Sequence, residues 1–246
     1  MRTYVGAALC LLGLAAAGSS ATAQGPAGDA IPRLLRSGDP AGALKLLDEA
    51  LAQVPRDPRL WTLRGLALTQ MDRADEGLAA YRKALSAEPG YLPALQGAAQ
   101  LEYRSRSPEA ERTLERILTV EPGNVVAHAM LGALAYDRQD CSTAVSHFDR
   151  AQAAIRGNAQ ALWQAAHCLF VLDRPADAAR AFQQVLDIGG LGSTPSDLVV
   201  FNLALSLHTA GQQDQAIAKL EPLAAGQQPD RDVLALLADA YAAHDD

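Results

Sequence analysis

Small residues and prolines return about every 34 positions along almost the whole chain, and this spacing constrains the fold more than any other feature. Prolines closing apolar helical runs stand at Pro55, Pro89 and Pro122, 34 and 33 residues apart. A small residue early in a second helical run recurs at Ala43, Gly77, Ala110, Ala144, Ala178 and Ala216. Another, midway along the first run, recurs at Gly65, Ala99, Gly132, Ala166, Ala204 and Ala238. Two independent ladders with one period indicate repeated units, each too small to bury its apolar face alone, stacked into a continuous core.

Within each unit the apolar residues step by three and four, the pattern of an amphipathic helix. Turn signals separate the paired helices: Ser37-Gly38-Asp39-Pro40, Met71-Asp72-Arg73, Ser105-Arg106-Ser107-Pro108, Gln139-Asp140, Asp173-Arg174-Pro175 and Ala210-Gly211-Gln212. Composition agrees, because Ala and Leu dominate and both favour helix. An apolar fraction of 49% excludes intrinsic disorder. A net charge of −7 argues against nucleic acid as a partner, since phosphates call for a basic stripe. The predicted fold is all-α: a right-handed α-solenoid of about six helical hairpins with a C-terminal capping helix.

Here the chain resembles the tetratricopeptide repeat family, whose pattern is W-x₂-L-G-x₂-Y, A-x₃-F and a terminal P. Trp61, Gly65, Leu68, Gly77, Tyr81, Ala84 and Pro89 follow it closely, and Leu131-Gly132, Ala144, Phe148 and Ala151 form a second clear copy. Later copies keep Ala178 with Phe182 and Ala216 with Leu220. The expected units are 24–57, 58–91, 92–124, 125–158, 159–196 and 197–230, with a cap at 231–246. Three departures stand out: a short first helix broken by Pro32, a third unit one residue short, and a Gly-rich insertion at Gly189-Gly190-Leu191-Gly192-Ser193. The small residues are expected to let paired helices cross closely, Gly65 facing Gly77 and Gly132 facing Ala144. Leu234, Leu237 and Tyr241 are expected to cover the sixth unit.

The N-terminus reads as an export signal. Arg2 precedes an apolar core from Tyr4 to Ala17, and Ala21-Thr22-Ala23 offers a small-x-small cleavage site before Gln24. That core is shorter than the roughly 20 residues a membrane helix needs, so no membrane span is expected after cleavage. Cys10 sits in the apolar core without a lipobox. Export to the periplasm or beyond leaves Cys141 and Cys168 as the remaining thiols in an oxidising compartment. They either pair as a disulfide or remain as a buried Cys168 and an unpaired Cys141.

The search for chemistry yields no catalytic, cofactor or metal motif. His128, His147, His167, His208 and His244 lack HxxxH or HExxH spacing, and the glycines near 190 lack the Lys-Ser/Thr of a phosphate loop. The resemblance implies instead that the first helix of each hairpin lines a concave groove for a protein or peptide. Projection one helical step from the small residues places Tyr103, Tyr136, Trp163, His167, Phe170, Phe201 and His208 on that surface. The more polar Arg59, Thr62, Thr69, Gln96 and Gln100 line its first half. Each aromatic has a second reading, as core between hairpins. The Lys and Asn that grip a C-terminal carboxylate in cytosolic relatives have no counterpart at these positions. The expected function is a non-catalytic periplasmic or secreted scaffold, with self-association or accessory recognition for a cell-wall or maturation enzyme as alternatives. The sequence leaves the partner and the oligomeric state open.

Overall fold

Short polar residues decide where the helices begin. In a computed structural model, which describes residues 26–189, 196–226 and 228–245, the chain forms helices and no strand among those residues. They are α1 (Pro26–Arg36), α2 (Pro40–Gln53), α3 (Pro58–Gln70), α4 (Ala74–Ala87), α5 (Leu92–Arg104), α6 (Ala110–Val120) and α7 (Val125–Asp137). There follow α8 (Cys141–Arg150), α9 (Gln152–Ile155), α10 (Ala159–Val171), α11 (Pro175–Asp187), α12 (Ser196–Thr209), α13 (Gln213–Ala224) and α14 (Arg231–Asp245). Asp57 caps α3 by accepting from the Arg59 and Leu60 amides. Asn124 caps α7 and Asn158 caps α10 in the same way, through Ala127 and Ala161. Each satisfies amides that the first helical turn leaves without partners.

The first helix of every hairpin ends in one motif. Residues Gly38, Asp72, Arg106, Gln139, Asp173 and Gly211 all take positive φ, between 56° and 78°. In each case the left-handed residue donates its amide three residues back, and the next residue donates five back. Asp72 reaches the Thr69 carbonyl and Arg73 that of Leu68, Gln139 reaches Tyr136 and Asp140 Ala135, and Asp173 reaches Phe170 and Arg174 Leu169. This Schellman termination occurs six times and turns the chain into each second helix.

Packing then proceeds in series. Paired helices α1–α2, α3–α4, α5–α6, α7–α8, α10–α11 and α12–α13 pack together, and the second helix of each pair meets the first helix of the next. First helices also touch along the stack, α3 against α5 and α7 against α10. The result is an α-solenoid. None of the described helices is long and apolar enough to cross a membrane.

Four sequence expectations change in detail. Pro32 does not break the first helix: it is the seventh of the 11 residues of α1, and its missing amide costs that helix one internal bond. Ile31 before it and Leu35 beyond it are buried with Ala43 and Leu47, which holds the helix together. Gly65 faces the Tyr81 ring, 2.6 Å from where a Cβ would stand, while Gly77 backs onto the Gly65 carbonyl. Gly132 faces Phe148 rather than Ala144. In α14 the covering face is Val233, Leu236 and Ala240, with Leu237 half-buried, whereas Leu234 and Tyr241 are exposed. The burying stripe starts one residue earlier than expected, so Tyr241 turns outward and its hydroxyl donates to Glu221. The signal segment 1–23, with Cys10, and Gly190–Ser193 of the insertion lie outside the described residues.

Candidate functional site

The helix-ending motif fixes part of the strip that the sequence reading assigns to a groove. The carbonyl that accepts from the left-handed turn residue belongs to Tyr103 in α5, Tyr136 in α7, Phe170 in α10 and His208 in α12. These four side chains therefore leave equivalent backbone positions in successive units, at the last turn of each first helix. Trp163 and Phe170 lie seven residues apart on one face of α10, and Phe201 and His208 seven apart on one face of α12.

All five aromatics of the strip, Tyr103, Tyr136, Trp163, Phe170 and Phe201, are half-buried. Their inner edges rest on the core and their outer edges reach solvent: Tyr136, Trp163, Phe170 and Phe201 all pack against the large C-terminal cluster. Trp163 meets the buried Phe182 of α11 edge to face, with ring centroids 5.2 Å apart. His167 is exposed and stacks edge to face on Tyr136 at 5.7 Å, tying α10 to α7. His208 is half-buried and its Nδ1–H donates to Gln213 Oε1 at 2.7 Å, which holds the ring in one orientation. Thus the strip is neither pure core nor loose surface. It is a row of anchored rings with one open edge, the form in which aromatics serve as contact residues at interfaces.

Three exposed aliphatic residues extend the strip. Val126 in α7 is 56% exposed, Val171 in α10 59% and Leu198 in α12 44%. Val126 precedes by seven residues Ala133, which packs with Tyr136 on the C-terminal cluster, Val171 follows His167 by four and Leu198 precedes Phe201 by three, which places each toward the strip side of its helix. Sequence reasoning missed them because α7 and α12 are apolar nearly all round, leaving no polar face to mark the wet side. The N-terminal half presents a different surface. Thr69 Oγ1 is turned back onto the Gly65 carbonyl of its own helix, while the neighbouring Gln70 Nε2 donates to the Leu35 carbonyl of α1 and ties the first two hairpins together.

Cys141 opens α8 and Cys168 lies in α10, next to His167. Their sulfurs are joined as a disulfide with α-carbons 4.8 Å apart, linking unit four to unit five beneath the strip. The histidines are not all scattered. His128, fully buried, donates from Nε2 to the Pro122 carbonyl at 3.0 Å, and its Nδ1 accepts from His147 Nδ1 at 2.9 Å. Burial, together with the nearby His128 and Arg150, lowers the His147 pKa below its ordinary value. A crevice of about 530 Å³ opens elsewhere, between α8–α9 and α11. Its floor of Phe148, Leu162 and Leu169 is already buried, which makes it a gap between helices.

Repeats of this geometry have known counterparts. A family model described as the TPR domain of cytochrome c-type biogenesis protein H matches residues 44–162. Residues 44–162 therefore carry tetratricopeptide repeats, and the same hairpin continues on either side of them. Its fold is similar to that of YrrB, a TPR protein with an unusual peptide-binding site, at 18% identity and a TM-score of 0.60, covering 81% of this chain and 96% of that one. A tetratricopeptide repeat protein from Parabacteroides merdae aligns at 18% identity and a TM-score of 0.57, over 89% of this chain and 85% of its own. PilW, a type IV pilus biogenesis factor, aligns at 16% identity and a TM-score of 0.53, over 86% and 96%. No curated protein sequence matches this chain.

Proposed function

We propose that this TPR protein is a non-catalytic scaffold of the periplasm or cell exterior that seats a segment of a partner protein against the aromatic strip of units three to six. The carrying observation is the half-burial of Tyr103, Tyr136, Trp163, Phe170 and Phe201, with exposed Val126, Val171 and Leu198 continuing the same surface. Five rings held on one side and open on the other lose little side-chain freedom on binding, so their contact area converts efficiently into affinity. The family match over residues 44–162 supports a place in the assembly of c-type cytochromes, with the partner segment drawn from a cytochrome or a maturation component. Export rests on Arg2, the apolar run to Ala17 and the Ala21-Thr22-Ala23 site, and the mature chain then starts at Gln24.

The test is a photo-crosslinker at Val171, beside Phe170, in the native host, followed by mass spectrometry of the adducts. Capture of a c-type cytochrome or a maturation component supports the reading. A crosslinked partner whose yield is unchanged in Trp163→Ala overturns the anchoring role of the strip, since loss of an anchor costs at least about 2 kcal/mol of binding. N-terminal sequencing of the same material checks export, and a chain retaining Met1 would refute it.

A further inference from the structure

The buried disulfide has an exposed imidazole beside it. Both cysteine sulfurs and a ring nitrogen of His167 lie within 4.8 Å of one another. Cys168 is fully buried in α10, Cys141 nearly so at the start of α8, and His167 stands at the surface on the strip side. This is two soft sulfur donors and one imidazole, converging from two helices that pack directly on each other. A tetrahedral zinc ion with two thiolates and one histidine needs its sulfurs about 3.8 Å apart, at Zn–S bonds of about 2.3 Å. With the bridge open, the sulfurs have to separate to that distance for the three donors to share one ion.

We propose that Cys141, Cys168 and His167 form a redox-gated site for a thiophilic divalent cation, zinc(II) by its chemistry, that is closed when the cysteines are bridged and open when they are reduced. In the bridged form each sulfur is committed to the other and the pair staples unit four to unit five. A dithiol reductant opens it: the reductant closes its own disulfide, and its two electrons and two protons pass to the Cys141 and Cys168 sulfurs. Zinc(II) then displaces both thiol protons, binds the two thiolates and the neutral His167 nitrogen, and keeps one position for water on the exposed side. The ion compensates for the thiolate charge at Cys168, which burial would otherwise penalise heavily. Tyr136 steadies the imidazole through the edge-to-face contact at 5.7 Å. One joint of the solenoid thus has two closures, covalent and metal-bound, on the same atoms.

The test uses the full chain with Cys10→Ser, which leaves only this pair of thiols. After phosphine reduction and anaerobic desalting, it is titrated with zinc(II) against a chromophoric chelator and, separately, with cobalt(II). The expected result is one zinc per reduced chain and none per bridged chain. Cobalt should give a thiolate charge-transfer band and intense tetrahedral visible bands. His167→Ala, at an exposed position that leaves the fold intact, should weaken zinc binding at least about tenfold, and Cys141→Ser should abolish the charge-transfer band. The proposal fails if the reduced chain takes up no metal, if the bridged chain binds equally, or if His167→Ala matches its parent in affinity and cobalt spectrum.

Discussion

Units one to three and units four to six share the same hairpin and the same turn, but their interiors are organised differently. Between Ile31 and Leu131 the buried residues fall into three separate clusters, around Leu47, around Tyr81 and around Leu114. From Ala135 to Ala240 they form a single cluster that includes Phe148, Phe182, Leu203 and Leu220. Polar groups account for part of the difference. Glu102 is buried in α5 and accepts from Thr113 Oγ1 at 2.6 Å and from Arg82 at 3.3 Å, a polar seam beside Leu101. Tyr81, where units four and five carry Phe148 and Phe182 and unit six Leu220, brings a hydroxyl into the interior. The aromatic strip follows most of the same division: Tyr103 stands on the last unit of the segmented half, and the other four rings stand on the continuous one. Four of the five proposed contact rings thus stand on the half whose core is unbroken, the rigid support that the proposed binding surface calls for.

The largest effect should come from cutting the continuous core. Phe182→Ala removes a ring that is 1% exposed and supports Trp163, and should cost about 3–5 kcal/mol in urea unfolding. Hydrogen exchange should then show protection lost across units four to six together. Tyr81→Ala should release protection in units two and three only. Equally local losses for both variants would mean the single cluster has no energetic unity.

A sharper probe of the segmented half is Gly97→Ala. The Tyr81 ring lies between Gly65 and Gly97, and a Cβ at Gly97 would stand 2.3 Å from it. With Gly65 equally tight on the other side, the ring cannot step away, so overpacking should cost about 1–3 kcal/mol. In a Tyr81→Ala background the same change should become neutral or favourable, since Ala exceeds Gly in helix propensity by about 1 kcal/mol. A thermal-melt double-mutant cycle measures this, and additive costs would refute the sandwich.

These cases also show what could be read from the residue order. The solenoid was legible because its period is carried by residue size: a small residue every 34 positions is visible in the letters. Which face of each helix turns inward was less legible. Helices α7 and α12 are apolar nearly all round, so the wet side is chosen by the neighbouring hairpins, and Val126 and Leu198 carried no mark of exposure. In α14 two apolar stripes one residue apart competed, and contact with α13 selected Val233, Leu236 and Ala240. The left-handed turn was visible only where it fell on Gly38 and Gly211. At Arg106 and Gln139 the six-fold backbone motif overrides the local preference of the side chain.

That hidden strain gives a prediction equal in both halves. Asp72, Arg106, Gln139 and Asp173 hold positive φ without being glycine. The left-handed conformation costs a residue with a Cβ about 1–2 kcal/mol, and glycine returns part of that gain as unfolded-chain entropy. Arg106→Gly and Gln139→Gly should each stabilise by about 0.5–1 kcal/mol, and Gly211→Ala should destabilise by a similar amount. Matching increments from Arg106, in the segmented half, and Gln139, in the continuous half, would place the contrast between the halves in the core alone. Unequal increments in denaturant midpoints would move it into the turns.

The smallest expected effect concerns the seam where the halves meet. His128 Nε2 holds the Pro122 carbonyl, in the turn between units three and four, and its Nδ1 accepts from His147 in α8. Burial first, then the neighbouring His128 and Arg150, lower the His147 pKa from its ordinary value of 6.5, while Glu111 opposes the shift. The folded chain therefore favours neutral His147 more than the unfolded chain does. Above pH 6.5 this contribution to stability is fully present. As pH falls below that value the unfolded state takes up the proton first, and the contribution drains away until the lowered folded pKa is passed. Denaturant midpoints measured between about pH 7.5 and about pH 5 should fall more steeply for the parent than for His147→Gln, with hydrogen exchange rising first at Pro122–Ala127 and in α8. Parallel pH profiles for the two proteins would show that the histidine pair closes the seam by packing alone and that its protonation has no part in joining the two halves.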